Sequence, residues 1–167
     1  MKSFKTENFT FIDFAEMDED MSNKVWKCRN LPEIRKWMDN ASPILLQDHL
    51  RFVESLKQEG NKKYFCIIYK GSFAGSINIH YKGQDSVERG IYLHPDFFGQ
   101  NLAYKISMEF YSYIHKNTGI RYILTKVLKT NIRSNKLQTT LYAEKKDEDD
   151  LYNYYRLDLS KLCDNEP

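Results

Sequence analysis

Apolar positions along the chain change period several times, and each change marks an element boundary. Residues 9–14 alternate apolar and polar side chains before an acidic run, the pattern of a half-buried first strand. A short helix is expected over residues 21–28. Asn30-Leu31-Pro32-Glu33 reads as a helix start, with Asn30 as N-cap, Pro32 in the first turn and Glu33 at the capping-box position. Ile34, Trp37 and Met38 continue that helix to about residue 40. After Ser42-Pro43, the residues Leu46, His49, Leu50, Phe52, Val53 and Leu56 form the stripe of a second amphipathic helix. Residues 63–69 and 73–81, joined by Lys70-Gly71-Ser72, read as a hairpin, and Gly83-Gln84-Asp85 turns the chain into a third strand over 87–93.

In the second half, Leu102, Ile106, Phe110, Tyr113 and Ile114 share a helical face, and Gly119 is placed to end that helix. A β-branched strand is expected over 122–128 and a short helix over 131–138. A final strand spans 151–159, with Leu151, Tyr155, Leu157 and Leu159 on one face. Residues 145–150 read as a charged, solvated loop. Runs of strands interrupted by crossover helices indicate an α+β protein with a mixed sheet.

Composition narrows this picture. With 167 residues and 41% apolar content the chain suits one domain, residues 1–167. Its net charge of +2 (25 basic against 23 acidic residues) supplies no general field for nucleic acid or membrane, so neither is expected as a partner. Cys28, Cys66 and Cys163 form an odd, widely spaced set without a CxxC pair or a His cluster, which predicts free thiols, no metal site and a reducing, cytoplasmic setting. No leader or membrane-length apolar run is evident.

The chemistry concentrates in Glu88-Arg89-Gly90-Ile91-Tyr92-Leu93-His94-Pro95-Asp96-Phe97-Phe98-Gly99-Gln100-Asn101-Leu102-Ala103, a strand, a tight loop and a helix start. Unsatisfied N–H groups at such a helix N-terminus, with the helix dipole behind them, hold phosphate oxygens. This stretch, with the element order, resembles the GNAT acyltransferase superfamily. The resemblance implies a mostly antiparallel twisted sheet of about seven strands flanked by helices, its fourth and fifth strands splayed. It also implies acetyl-CoA as cosubstrate, with the pyrophosphate on the loop amides of a Q/R-x-x-G-x-G/A motif. Phe98 stands at the Q/R position, Asn101 at the first motif Gly, and Ala103 matches the last position; Asn tolerates the left-handed backbone that Gly would adopt there, and Gly99 relaxes the loop. Asn131-Ile132-Arg133-Ser134 resembles the N-x-x-S/A that lies beside the pantetheine arm, which assigns Asn131 and Ser134 to the cofactor.

The first half is more narrowly similar to the N-acetyltransferases of pseudaminic acid biosynthesis, which acetylate the 4-amino group of a UDP-linked dideoxy sugar. The similarity rests on Arg29-Asn30-Leu31-Pro32, Trp37-Met38 and His49-Leu50-Arg51-Phe52. It implies an acceptor pocket from Arg29, Asn30 and His49, with Arg29 on nucleotide phosphate and Trp37 or Met38 stacked on base or sugar. Amine acetylation also needs a base, a polarised thioester carbonyl and a proton for the departing thiolate. The family fold places the carbonyl and pantetheine on the backbone of Ile91, Tyr92 and Leu93. Strand alternation puts Glu88 on one face with Gly90, Tyr92 and His94, making it the candidate base; on the preceding strand His80 is a second candidate for proton transfer, and the resemblance places Asn78 in contact with the reacting amine. Where the superfamily commonly carries a Tyr acid stands Gln138, and Tyr142 replaces it only if the helix continues through Thr139 and Thr140.

Two other readings share the fold: acetylation of a peptide or aminoacyl N-terminus or a polyamine, and coenzyme A binding without turnover. A monomer or homodimer is expected.

Overall fold

In the computed structural model, which describes residues 1–163 apart from the side chain of Cys163, β1 (Phe4–Lys5) and β2 (Phe9–Asp13) are followed by α1 (Glu19–Arg29), α2 (Pro32–Arg35) and α3 (Leu46–Ser55). Then come β3 (Lys62–Tyr69), β4 (Ser72–Tyr81), β5 (Ser86–Leu93), α4 (Leu102–Thr118), β6 (Tyr122–Leu128), α5 (Ile132–Thr140), β7 (Glu144–Glu148), β8 (Tyr152–Asp158) and α6 (Ser160–Cys163). The free-thiol expectation for Cys163 lies outside the described side chains; Cys28 and Cys66 are buried free thiols. The strands hydrogen-bond in the order β1-β2-β3-β4-β5-β6-β8-β7. β5 and β6 are parallel, while β1/β2, β2/β3, β6/β8 and β7/β8 are antiparallel, so the sheet is mixed as expected. No described helix is long and apolar enough to cross a membrane.

The chain divides into two compact units, residues 1–79 with 91–100 and residues 80–90 with 101 onward. In the first, alternate residues of β2 point inward, and Phe11 stacks on Phe4 with ring centroids 4.7 Å apart. Phe14, Val25, Leu56 and Cys66 form a second buried cluster, edged by Met17, Met21, Phe52 and Tyr64. Asp18 caps α1 by accepting from the Met21 amide at 2.8 Å, a contribution of roughly 1 kcal/mol. In the second unit the buried face of α4 is Leu102, Ile106, Ser107, Phe110, Tyr111 and Ile114, and Gly119 ends the helix at φ 72°, as its position predicts.

Four expectations are corrected. The helix expected from Asn30 to residue 40 is a single turn, α2, and Asn30 is the C-cap of α1, not an N-cap; Leu31 occupies the N-cap of α2 without a side-chain bond. The charged stretch expected to be a loop contains β7, whose five residues are all exposed. Charged side chains suit an edge strand because they discourage pairing with another chain. Leu151, expected inside with Leu157 and Leu159, is exposed and precedes β8. Finally, α5 does continue through Thr139 and Thr140, whose hydroxyls bond back to the carbonyls of Asn135 and Lys136 at 3.3 and 3.0 Å. It stops at Leu141, before Tyr142.

Candidate active site

The loop after β5 is held by its own polar groups. The His94 amide donates to the Ala74 carbonyl at 2.8 Å, Phe98 N–H closes a turn on Pro95, and the Gln100 side chain donates to the Asp96 carbonyl at 2.9 Å. Gly99 (φ 77°) and Asn101 (φ 55°) both take the left-handed backbone, and Asn101 makes no side-chain cap bond. Among the described residues, the amides of Gly99, Gln100, Asn101, Leu102 and Ala103 have no hydrogen-bond partner, and α4 starts directly behind them. Such a run of unpaired donors at the positive end of a 17-residue helix is suited to an anion. Phe98 is exposed beside it.

Asn101 tests this arrangement. Asn101→Gly keeps the left-handed backbone and every amide, so its affinity for acetyl-CoA in calorimetry should stay within about twofold of wild type. Asn101→Pro removes one donor and forces φ near −65°, and should weaken binding at least about tenfold. Equal affinity of the two variants would refute the placement.

The strand leading into this loop owes its position to a glycine. A Cβ built on Gly75 would lie 2.2 Å from the Tyr92 carbonyl oxygen and 2.8 Å from the Leu93 Cα, so only Gly lets β4 approach Ile91, Tyr92 and Leu93 this closely. The parallel ladder of β5 with β6 runs from Ser86↔Tyr122 to Glu88↔Leu124, while β5 itself runs on to Leu93 and β6 to Leu128. The Tyr92 side chain points among Ser76, Arg29, Cys28 and Cys66. Burial pushes its phenol well above the ordinary range, with smaller increases from the two thiols, against a hydrogen bond with Ser76 and the Arg29 charge. Burial likewise pushes the Cys28 thiol up to about 12. Both groups therefore stay protonated near neutral pH.

Among the candidate proton-handling groups, the Glu88 carboxylate pairs with Lys82 Nζ at 3.0 Å, and both are substantially exposed. Asn78 and His80 are half-buried on one face of β4. Asn131 caps α5 by accepting from the Ser134 amide at 3.1 Å. Gln138 is fully buried one turn later, its amide 3.4 Å from the Ser134 carbonyl. Tyr142 lies past the helix end at φ 58° and is 84% exposed. The structure thus brings Asn131, Ser134 and Gln138 together and leaves Tyr142 outside that group.

The acceptor candidates all lie in the first unit. Arg29, at the end of α1, donates from Nη2 to the Asn40 carbonyl at 3.0 Å, while Nη1 is buried without a partner. Burial lowers its pKa, opposed by the phenols of Tyr92 and Tyr64. Asn30 uses both ends of its amide on Ile44, donating to the carbonyl at 2.9 Å and accepting from N–H at 2.7 Å, and Trp26 donates to the same carbonyl at 2.7 Å. Each of these bonds is worth roughly 1 kcal/mol, and together they fix the chain entering α3. His49 is buried against Ser22, its Nε2 3.0 Å from the hydroxyl; burial lowers its pKa and so favours the neutral ring, an effect partly offset by the hydrogen bond with Ser22. Trp37 is 39% exposed with Lys36 Nζ 5.0 Å from its ring centroid, and Met38 is half-buried beside it in sequence.

Sequence reasoning missed the Gly75 contact, the Tyr92 phenol and the use of Asn30 as a clamp. Gly75 lies within a strand pattern, where a glycine is a signal of close backbone approach. The other two depend on contacts that spacing does not encode.

Comparison with known proteins bears on the family and the fold. The family profile described as Acetyltransferase (GNAT) domain matches residues 10–141. Acetyltransferase PseH of Campylobacter jejuni subsp. jejuni serotype O:2 is 30% identical over 139 residues, covering 81% of this chain and 87% of that protein. The crystal structure of C. jejuni N-acetyltransferase PseH in complex with acetyl coenzyme A superposes with a TM-score of 0.74 at 23% identity, over 90% of this chain and 98% of that one. Spermidine N-acetyltransferase from Vibrio cholerae, in complex with CoA and spermine, reaches a TM-score of 0.83 at 12% identity over 95% and 99% of the two chains, which is a likeness of fold. With the loop, the strand order and the matched profile in agreement, the chain belongs to the GNAT acetyltransferase family.

Proposed function

We propose that this acetyl-CoA-dependent N-acetyltransferase moves its acetyl group onto the amine of a nucleotide-linked amino sugar, in the reducing cytoplasm where Cys28 and Cys66 remain thiols. The observation that carries the acceptor class is Arg29, a half-buried guanidinium with one N–H unpartnered, beside the segment that ends in the exposed Trp37. A half-buried cation lacking an anion favours a phosphate-bearing ligand, and the exposed indole supplies a stacking face. The narrow similarity of residues 26–65 to pseudaminic-pathway enzymes supports the same class.

In this reading the unpaired amides of residues 99–103 take the pyrophosphate of acetyl-CoA, the Phe98 N–H being already bonded to the Pro95 carbonyl. The backbone of Ile91, Tyr92 and Leu93 takes the pantetheine and the thioester carbonyl, and Asn131 and Ser134 flank the pantetheine arm. Polarising that carbonyl lowers the barrier to attack, because the amide dipoles are in place before charge develops. Glu88, directly or through water, removes the amine proton, while Asn78 and His80 orient the amine. Asn30 and His49 act from within, Asn30 by holding Ile44 and His49 by bonding Ser22, so that the pocket keeps its shape. Because Gln138 carries no acidic proton and Tyr142 is exposed beyond the helix end, the departing thiolate takes its proton from water.

Arg29→Ala should raise the Michaelis constant for a UDP-amino sugar about tenfold or more with acetyl-CoA affinity nearly unchanged, and Arg29→Lys should restore only part, lacking the planar fork. The decisive experiment is a turnover panel of UDP- and dTDP-linked amino sugars against polyamines and peptide N-termini. Turnover confined to the polyamines or peptides would overturn the sugar-nucleotide reading.

A further inference from the structure

The segment 36–45 between α2 and α3 is tied down by two arginines on consecutive peptide units. Arg29 Nη2 donates to the carbonyl of Asn40 at 3.0 Å, and Arg35 Nη1 donates to the carbonyl of Ala41 at 3.2 Å. Each guanidinium keeps one buried nitrogen without a partner, Nη1 of Arg29 and Nε of Arg35. Among the described residues neither forms a salt bridge, and Lys36 adds a third cation beside Trp37. Both guanidiniums are thus partnered by neutral carbonyls alone, which compensate a cation less well than an anion does. The arrangement is short of negative charge on two adjacent sites.

We propose that Arg35 is the partner of Arg29 in a diphosphate-binding site, the two guanidiniums taking the adjacent phosphates of a nucleoside diphosphate group in place of the carbonyls of Asn40 and Ala41. This rests on the reading of the acceptor as nucleotide-linked, and it adds a residue and a chemical requirement: two phosphates, not one. Both carbonyl bonds lie at the protein surface, so a phosphate arriving from solvent competes for them directly. A bidentate bond between a guanidinium and a phosphate, with both partners charged, is stronger than the single bond from the guanidinium to a neutral carbonyl that it replaces, which gives the exchange its direction. The segment 36–45 then stays anchored through Ile44, held by Asn30 and Trp26, while residues 40 and 41 are released.

The test is calorimetry on protein saturated with coenzyme A, so that the coenzyme's own diphosphate site is filled, with UDP, UMP and inorganic pyrophosphate as probes. Wild type should bind UDP at least about tenfold tighter than UMP and should bind pyrophosphate. Arg35→Ala and Arg35→Gln should bring UDP to the level of UMP, leave UMP unchanged and abolish pyrophosphate binding; Arg35→Lys should recover part. Gln can still donate to the Ala41 carbonyl, so its variant separates charge from folding, and its melting temperature should match wild type. If UDP keeps its advantage in both variants, the assignment of Arg35 is wrong while the sugar-nucleotide reading stands. If wild type binds neither UDP nor pyrophosphate, the diphosphate site does not exist, and the acceptor panel decides the broader reading independently.

Discussion

Gly75→Ala is expected to abolish most acetyl transfer while leaving the protein expressed and partly folded. The added Cβ would sit 2.2 Å from the Tyr92 carbonyl oxygen, which is backbone and cannot swing aside, so either β4 or the end of β5 must move. The cost is at the upper end of overpacking, about 3 kcal/mol, or roughly 6–12 °C in melting temperature for a chain of this size. Function should suffer more than stability, because the strand displaced is the one assigned to the pantetheine and the thioester carbonyl. Acetyl-CoA should then give little of its usual stabilisation in thermal denaturation. Gly71→Ala is the control: Gly71 has φ 80° but open space around it, so a substitution there should cost about 1 kcal/mol of backbone strain and leave the acetyl-CoA shift intact. Identical behaviour of the two variants would mean that the close approach of β4 to Tyr92 has no part in binding.

Glu88→Gln is expected to lower turnover by about a hundredfold with little change in melting temperature. The carboxylate pairs with Lys82 at 3.0 Å in an exposed position, and such a pair is worth well under 1 kcal/mol to the fold. This allows a clean separation of roles. If the ion pair is all that Glu88 provides, Glu88→Gln and Lys82→Ala should have equal and small effects. If Glu88 takes the amine proton, Glu88→Gln should be about a hundredfold slower while Lys82→Ala stays within about fivefold. His80→Ala should fall between them, as expected of an orienting group, and Tyr142→Phe should turn over at the wild-type rate. Steady-state pH profiles of the four variants measure these differences, and unaltered turnover in Glu88→Gln would remove it as the base.

The two predictions draw on different amounts of sequence information. Glu88 was reached from strand alternation alone, because a period of two is a local property of extended backbone that needs no partner. Gly99 and Asn101 were legible for a similar reason: left-handed backbone favours Gly and Asn wherever it occurs, and both residues do adopt it. By contrast, the constraint on Gly75 comes from a carbonyl 17 positions further along the chain, which no local pattern reports.

The same division explains the errors. Residues 30–40 have the periodicity of a helix, yet only one turn forms, because Arg29, Asn30, Trp26 and Arg35 hold the backbone of residues 40, 41 and 44 in another course. Those bonds are long-range side-chain bonds, and together they outweigh a propensity difference of a few tenths of a kcal/mol per residue. β7 reads as a solvated loop because five charged residues carry no apolar alternation; it is a strand only because β8 offers it a free edge. Thr139 and Thr140 suggested strand and form helix, their hydroxyls being absorbed by carbonyls one turn back.

The sequence by itself therefore determined the α+β class, the strand–loop–helix that presents unpaired amides, and the residue types able to bind phosphate or move a proton. Each of these follows from periodicity, turn chemistry or side-chain chemistry, which act within a few residues. Only the tertiary structure decided that Asn30 is spent on Ile44, that His49 faces Ser22, that Tyr142 lies outside the α5 group, and that Arg29 and Arg35 meet adjacent peptide carbonyls. Which polar group a side chain meets depends on packing between distant segments, and burial then sets the cost of leaving that group unpaired.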